Sequence, residues 1–166
     1  MAELELTRTR EDRRRYALAD VGSLRLRGWL SRAATAEAAG RRWEIERRGL
    51  WRRAIEATDE SGAAVGEFQP NALRRGGTLT WAGRELALQP ASLWRERYAL
   101  ADGERDLALL DGRSWGRRPV RITVDDPGAI EPGLLLFAAF VVRGLAEDAS
   151  SAGAAAATTA VTTTSG

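Results

Sequence analysis

From Tyr16 to Val124 apolar and polar residues alternate in short runs broken by Gly, Asp and Asn, and then nine consecutive apolar residues follow from Leu134 to Val142. A period of two marks strands with one buried face, and the interruptions mark turns. The pattern predicts strands over Tyr16 to Asp20 and Leu24 to Leu30, joined through Asp20-Val21-Gly22. Leu24, Leu26, Gly28 and Leu30 share one face of the second strand, and Arg25, Arg27 and Trp29 take the other. Further strands follow at Trp43-Glu44-Ile45, at Trp51 to Thr58, and at Ala64 to Phe68 beyond the turn Asp59-Glu60-Ser61-Gly62. Leu79-Thr80-Trp81 and Glu85 to Leu88 form a hairpin through Ala82-Gly83, while Trp94 to Leu100 and Leu107 to Leu110 flank Asp102-Gly103. Val120, Ile122 and Val124 make the last strand, and Asp125-Asp126-Pro127-Gly128 ends the run. The stretch Ala33 to Ala39 fits a short helix or a loop.

The segment Leu134 to Val142 is apolar on every side, as a helix surrounded by protein must be. Pro132 suits its first turn and Gly144 its end. It is too short for the roughly 20 residues that cross a bilayer. As a partial membrane anchor it would bring Arg143, Glu147 and Asp148 close to the acyl region, which is costly. The expected fold is therefore mainly β: a closed antiparallel β-barrel of short hairpins around a central hydrophobic C-terminal helix. Its span is 15–147, with the core helix at about 132–146. Residues 1–14, dense in charge, read as a flexible leader. Residues 148–166, almost entirely Ala, Ser, Thr and Gly, read as a disordered tail with too little apolar area to offset ordering. One internal echo supports a duplicated hairpin layout: Arg14-Arg15-Tyr16-Ala17-Leu18-Ala19-Asp20 recurs as Glu96-Arg97-Tyr98-Ala99-Leu100-Ala101-Asp102.

Composition narrows the chemistry. The 166 residues suffice for one domain with a real core. They contain no His, Cys or Lys, so all 25 basic residues are Arg. That removes a thiolate nucleophile, an imidazole base, the usual zinc and copper ligands, a Schiff-base lysine and a P-loop lysine. An enzyme would have to run on Asp, Glu, Ser, Tyr and Arg alone, so the expectation is a non-enzymatic domain with no cofactor and no metal. The adjacent carboxylates Asp59-Glu60, Asp125-Asp126 and Glu147-Asp148 suit turns and solvated faces better than catalysis.

The pI of 9.8 belongs to a net charge of only +2. With almost nothing titrating near neutrality, a small Arg excess pushes the pI far up. Arg and Glu are interleaved, so a nucleic-acid partner is not expected. The Ala, Gly and Arg bias suggests GC-rich bacterial coding. No secretory signal and no transmembrane segment is visible, which gives a cytoplasmic protein, peripheral at a membrane if it meets one.

Hairpins built around Asp-x-x-Gly or Asp-Gly turns and followed by an apolar C-terminal helix resemble the tubby C-terminal-like group, which includes the tubby domain, the phospholipid scramblases and the LURP-one-related proteins. The residues that carry the resemblance are Tyr98-Ala99-Leu100-Ala101-Asp102-Gly103, Thr58-Asp59-Glu60-Ser61-Gly62, Ala64-Val65-Gly66-Glu67-Phe68 and the helix from Leu134, within residues 16–146. The resemblance implies a closed barrel wrapped around that helix. It also implies a phospholipid-binding role, although the tubby domain's headgroup site uses Lys and this chain has none. No family ligand residue maps onto a position here. The scramblases' Cys-rich segment and calcium-binding stretch are missing.

The candidate ligand residues are Arg41, Arg42, Arg47, Arg48, Arg52 and Arg53, with Trp51 among them and Trp115 in the Arg113 to Arg118 loop. Brought together on adjacent strands, they would form a patch for an anionic membrane surface, with Trp at the interface. Against that stands the ordinary arrangement, in which Arg covers exposed faces and stacks on Trp while Glu44, Glu46 and Glu56 neutralise it. Trp115, in a loop at a barrel end, is a ligand lid or, in the more ordinary arrangement, simply a plug over the core. The other partner class is a second protein, with no small ligand.

Overall fold

The computed structural model describes residues 1–27, 33–49, 54–72, 75–92, 96–112 and 120–161. Twelve strands close into one antiparallel barrel in simple meander order, and a C-terminal helix follows. They are β1 (Ala2–Arg8), β2 (Arg15–Leu18), β3 (Gly22–Arg27), β4 (Ala33–Ala38), β5 (Arg41–Arg48) and β6 (Ala54–Asp59). The second half comprises β7 (Ala64–Pro70), β8 (Gly77–Trp81), β9 (Arg84–Pro90), β10 (Arg97–Asp102), β11 (Arg105–Asp111) and β12 (Val120–Val124). The helix α1 spans Pro132–Val161. β1 pairs with both β12 and β2, so the sheet has no free edge.

The helix fills the barrel. Residues 134 to 142 are each no more than 3 % exposed, so every side of this segment is covered. Around it stand the inward residues of the strands, among them Leu24, Trp43, Ile45, Phe68, Leu79, Leu88, Leu100 and Ile122. Twelve strands leave an interior wide enough for a helix, where eight are filled by their own side chains. The outer face carries the alternate residues, including Arg25, Arg42, Glu44, Glu46 and Glu67. Apolar inside and charged outside is the reverse of a membrane-spanning barrel. Among the described residues no helix is long and apolar enough to cross a membrane.

Three expectations are corrected. Residues 1–14 are no flexible leader: residues 2–8 close the barrel, Leu4 lying opposite Ile122 and Leu6 opposite Val120 and Leu18. Glu3 and Glu5 pair with Arg121 on the outer face, at 3.5 and 3.9 Å. The charges of Glu3-Leu4-Glu5-Leu6 are thus the polar half of a strand. The Ala-rich stretch is β4, with Ala34, Ala36 and Ala38 buried and Thr35 and Glu37 turned outward. The tail beyond 148 does not lose order at once, since the helical backbone continues to Val161. A helix started inside the barrel propagates cheaply through Ala, the best helix former.

The two echoing segments become β2 and β10, and Tyr16 and Tyr98 both point inward at 6 % exposure. Their hairpins differ in reach, however: Tyr16 lies opposite Leu24, whereas Tyr98 lies opposite Leu110, with a bulge between Leu100 and Ala101.

Candidate functional site

Strand alternation decides the fate of the arginine cluster. On β5, Trp43 and Ile45 point into the barrel and Arg42, Glu44, Glu46 and Arg48 point out. Arg41-Arg42 and Arg47-Arg48 therefore sit at opposite ends of the strand, about 20 Å apart at ~3.3 Å per residue. Each arginine has a carboxylate. Arg41 reaches Glu131 at 3.2 Å, Arg42 reaches Glu37 at 2.6 Å, Arg47 reaches Asp148 at 3.6 Å and Arg48 reaches Glu56 at 2.8 Å. No single patch brings these four together. Trp51, Arg52, Arg53 and Trp115 lie outside the described residues.

Arg41 and Arg47 belong to the two mouths of the barrel. At the first, the Arg41 guanidinium lies 5.2 Å from the Trp43 ring centre and donates to Glu131 Oε1. Trp81 Nε1 donates to the other oxygen of the same carboxylate at 2.8 Å. Glu131 thus ties β5 and β8 to the start of the helix. At the second mouth Arg47 crosses the helix at Gly144 to reach Asp148, and Arg143 pairs with Glu147 at 2.8 Å. Burial holds the Arg143 guanidinium below its usual range, against the opposing pull of Glu147. At each mouth an arginine of β5 pairs with a carboxylate at or beside the helix.

A different place has the shape of a site. A groove of about 750 Å³ lies at the ends of β2 to β5, lined by Ala17 and Ser23 of the outer face together with Gly22, Ala38 and Gly40 next to the turns. Arg15, Glu37, Arg41 and Arg42 rim it, with Asp20 and Glu60 at its end. A second hollow of about 640 Å³ adjoins it, sharing Thr9, Arg15, Ser23, Glu37 and Arg42 and adding Glu11, Asp12, Arg25 and Thr35. Its wall is the connection from β1 to β2, fixed by its own hydrogen bonds. Arg14 N donates to Asp12 Oδ1 at 2.9 Å, Thr9 Oγ1 donates to Asp12 O at 3.0 Å, and Arg25 pairs with Asp12 at 3.0 Å.

Cross-strand register builds the floor. Ala17, Ser23, Glu37 and Arg42 are successive partners across β2, β3, β4 and β5, and all four face outward. Ser23 is only 8 % exposed, the one buried polar residue among those described. Arg15 Nη2 donates to its hydroxyl at 3.2 Å and lies 4.0 Å from Glu37 Oε2. Near the groove's end the Asp59 carboxyl is held below its ordinary range, first by the Ser61 hydroxyl and then by the N–H groups of Ala63 and Ser61. That is a turn stabilising itself.

Of the residues singled out from sequence, Arg41 and Arg42 reach this groove, while Arg47 and Arg48 do not. Arg15, Ser23 and Glu37 escaped the sequence reading. Ala33-Ala34-Thr35-Ala36-Glu37-Ala38 does alternate with period two, and reading it as a strand would have put Glu37 beside Arg42 across a two-residue turn. No protein-family model, curated protein or solved structure matches this chain.

Proposed function

We propose that this chain is a non-enzymatic binding domain of the tubby-like type that engages anionic phospholipid headgroups in the groove across β2 to β5. A closed barrel threaded by an apolar helix is the architecture that resemblance implies, and it supports the family reading. The observation that carries the ligand reading is the presence of Arg15 and Arg42 on one groove of about 750 Å³ with a buried hydroxyl, Ser23, in its floor, and with Arg41 lining its edge. Guanidinium forks and a hydroxyl suit phosphate oxygens. In this reading the protein is bacterial, cytoplasmic and peripheral at the membrane, taking no cofactor.

The test is sedimentation with vesicles of anionic or neutral lipid, in low and moderate salt. Binding to the anionic vesicles alone, weakened by salt and lost in Arg15→Glu/Arg42→Glu, is the expected result. Equal binding to both lipids, or binding that the double variant leaves intact, sinks the reading.

A second reading, a protein partner with no small ligand, has its own observation. The groove and its neighbour are lined by Arg15, Arg25, Arg41 and Arg42 but also by Glu11, Asp12, Asp20, Glu37 and Glu60. Such a mixed rim complements another mixed surface better than a uniformly negative one. A closed barrel offers no edge for strand addition, so this partner would dock through side chains. Co-purification of one defined partner, abolished by the same double variant, would favour it.

A further inference from the structure

We propose that Glu37 is a built-in competitor for the groove's anion site: its carboxylate occupies the place that a phosphate group takes, and so sets the affinity for that ligand. This rests on reading the groove as a phosphate-binding surface. Arg42 gives both Nε and Nη2 to one oxygen, Glu37 Oε1, at 3.0 and 2.6 Å. The other oxygen stands 4.0 Å from Arg15 Nη2, too far for a hydrogen bond, and Arg15 turns to Ser23 Oγ instead. One carboxylate therefore serves one guanidinium fully and leaves the second short.

A phosphate monoester brings three terminal oxygens and close to two charges. It can take the Arg42 fork with one or two oxygens and still extend another toward Arg15. The Ser23 hydroxyl, which accepts from Arg15, keeps its own proton to give. Among the described residues the Glu37 carboxylate meets the flexible side chains of Arg42 and Arg15, and at 42 % exposure rotation about its own bonds carries it into solvent. What opposes that rotation is a surface ion pair, worth a factor of about two to five in the equilibrium. Glu37 also repels any incoming anion while it stays. Removing its charge relieves both effects together.

The experiment measures inorganic phosphate binding to the full chain by NMR titration at low ionic strength, with Glu37→Gln set against the wild type. Glu67→Gln serves as a charge-matched control, since Glu67 lies on the outer face of β7 and bonds Gln69. Binding should tighten roughly three- to tenfold in Glu37→Gln and stay within about twofold in Glu67→Gln. Adding Ser23→Ala or Arg42→Gln to Glu37→Gln should take the gain away. An equal gain in Glu67→Gln would mean only a long-range charge effect and would overturn the proposal, as would no change in Glu37→Gln or no phosphate binding by either protein.

Vesicles of phosphatidic acid and of phosphatidylcholine separate the sources of phosphate. If Glu37→Gln tightens inorganic phosphate but neither protein sediments with phosphatidic acid, the competitor stands and the ligand is a free phosphate compound. If both proteins sediment equally well with phosphatidic acid and inorganic phosphate is unaffected, the membrane reading survives and the competitor fails.

Discussion

The barrel is closed over its helix in two different ways, with packed rings beneath the Arg41–Glu131 pair at one mouth and the Arg47 side chain laid across the helix at the other. At the first mouth Trp43 and Trp81 stand 5.9 Å apart, Trp81 and Phe137 5.5 Å apart, and the helix passes beneath them at Gly133. At the second, Arg47 lies across Gly144 and the pairs Arg47–Asp148 and Arg143–Glu147 seal the exit. Rings pack densely and cannot yield, whereas an arginine has several torsions and swings aside. One mouth should therefore be intolerant of added volume, and the other forgiving.

One buried helix joins the two mouths, and a charge placed in its middle should have the largest effect. Phe137 is fully buried between them, in contact with Trp81. Phe137→Asp places an unpaired charge there, at a cost of several kcal/mol or more, comparable with the whole stability of such a domain. Loss of soluble, folded protein is expected. A variant that stays folded by circular dichroism and keeps a cooperative melt would mean that the helix is not the core.

Much of this fold was legible because burial here follows period. Leu134 to Val142 has no polar face, so only a surrounded position satisfies it, and Ala82-Gly83 marks a two-residue hairpin, both residues taking positive φ (48° and 80°). The elements that escaped did so for physical reasons. Glu3-Leu4-Glu5-Leu6 is dominated by charge, and only closure against β12 reveals that Leu4 and Leu6 are its inner half. β4 is built from Ala, a helix former by propensity, forced into a strand by its partners β3 and β5. The candidate site was harder still. Neighbours in sequence such as Arg47 and Arg48 point to opposite sides of a sheet, while Arg15, Ser23, Glu37 and Arg42 meet only through register.

Gly133→Ala sharpens the contrast with an intermediate effect. A Cβ there would lie 2.7 Å from Trp81 Cζ2 and 2.8 Å from Trp43 Cζ2, well inside contact distance. Neither ring can retreat easily: Trp81 is tied to Glu131, and both are buried against the core. Overpacking of this kind costs typically about 1–3 kcal/mol, and a lowered thermal midpoint with an unchanged helical signal is the expected reading. A midpoint equal to the wild type would show that the ring mouth yields after all.

Gly144→Ala is the smallest change and the most discriminating. The added Cβ would meet Arg47 Nη2, closer than any real contact, yet the obstacle is the far end of a flexible side chain rather than a ring or backbone. Arg47 should swing outward and loosen its 3.6 Å pairing with Asp148, a partly exposed pair worth at most about 1 kcal/mol. Against that loss, replacing Gly by Ala inside a helix gains roughly 1 kcal/mol. The two nearly cancel, so the midpoint should stay within a few degrees of the wild type while Gly133→Ala falls clearly below it. If Gly144→Ala instead costs as much as Gly133→Ala, Arg47 is held as firmly as a ring. The charged mouth would then be a rigid plug, and the contrast between the two ends would collapse into one rule of tight closure.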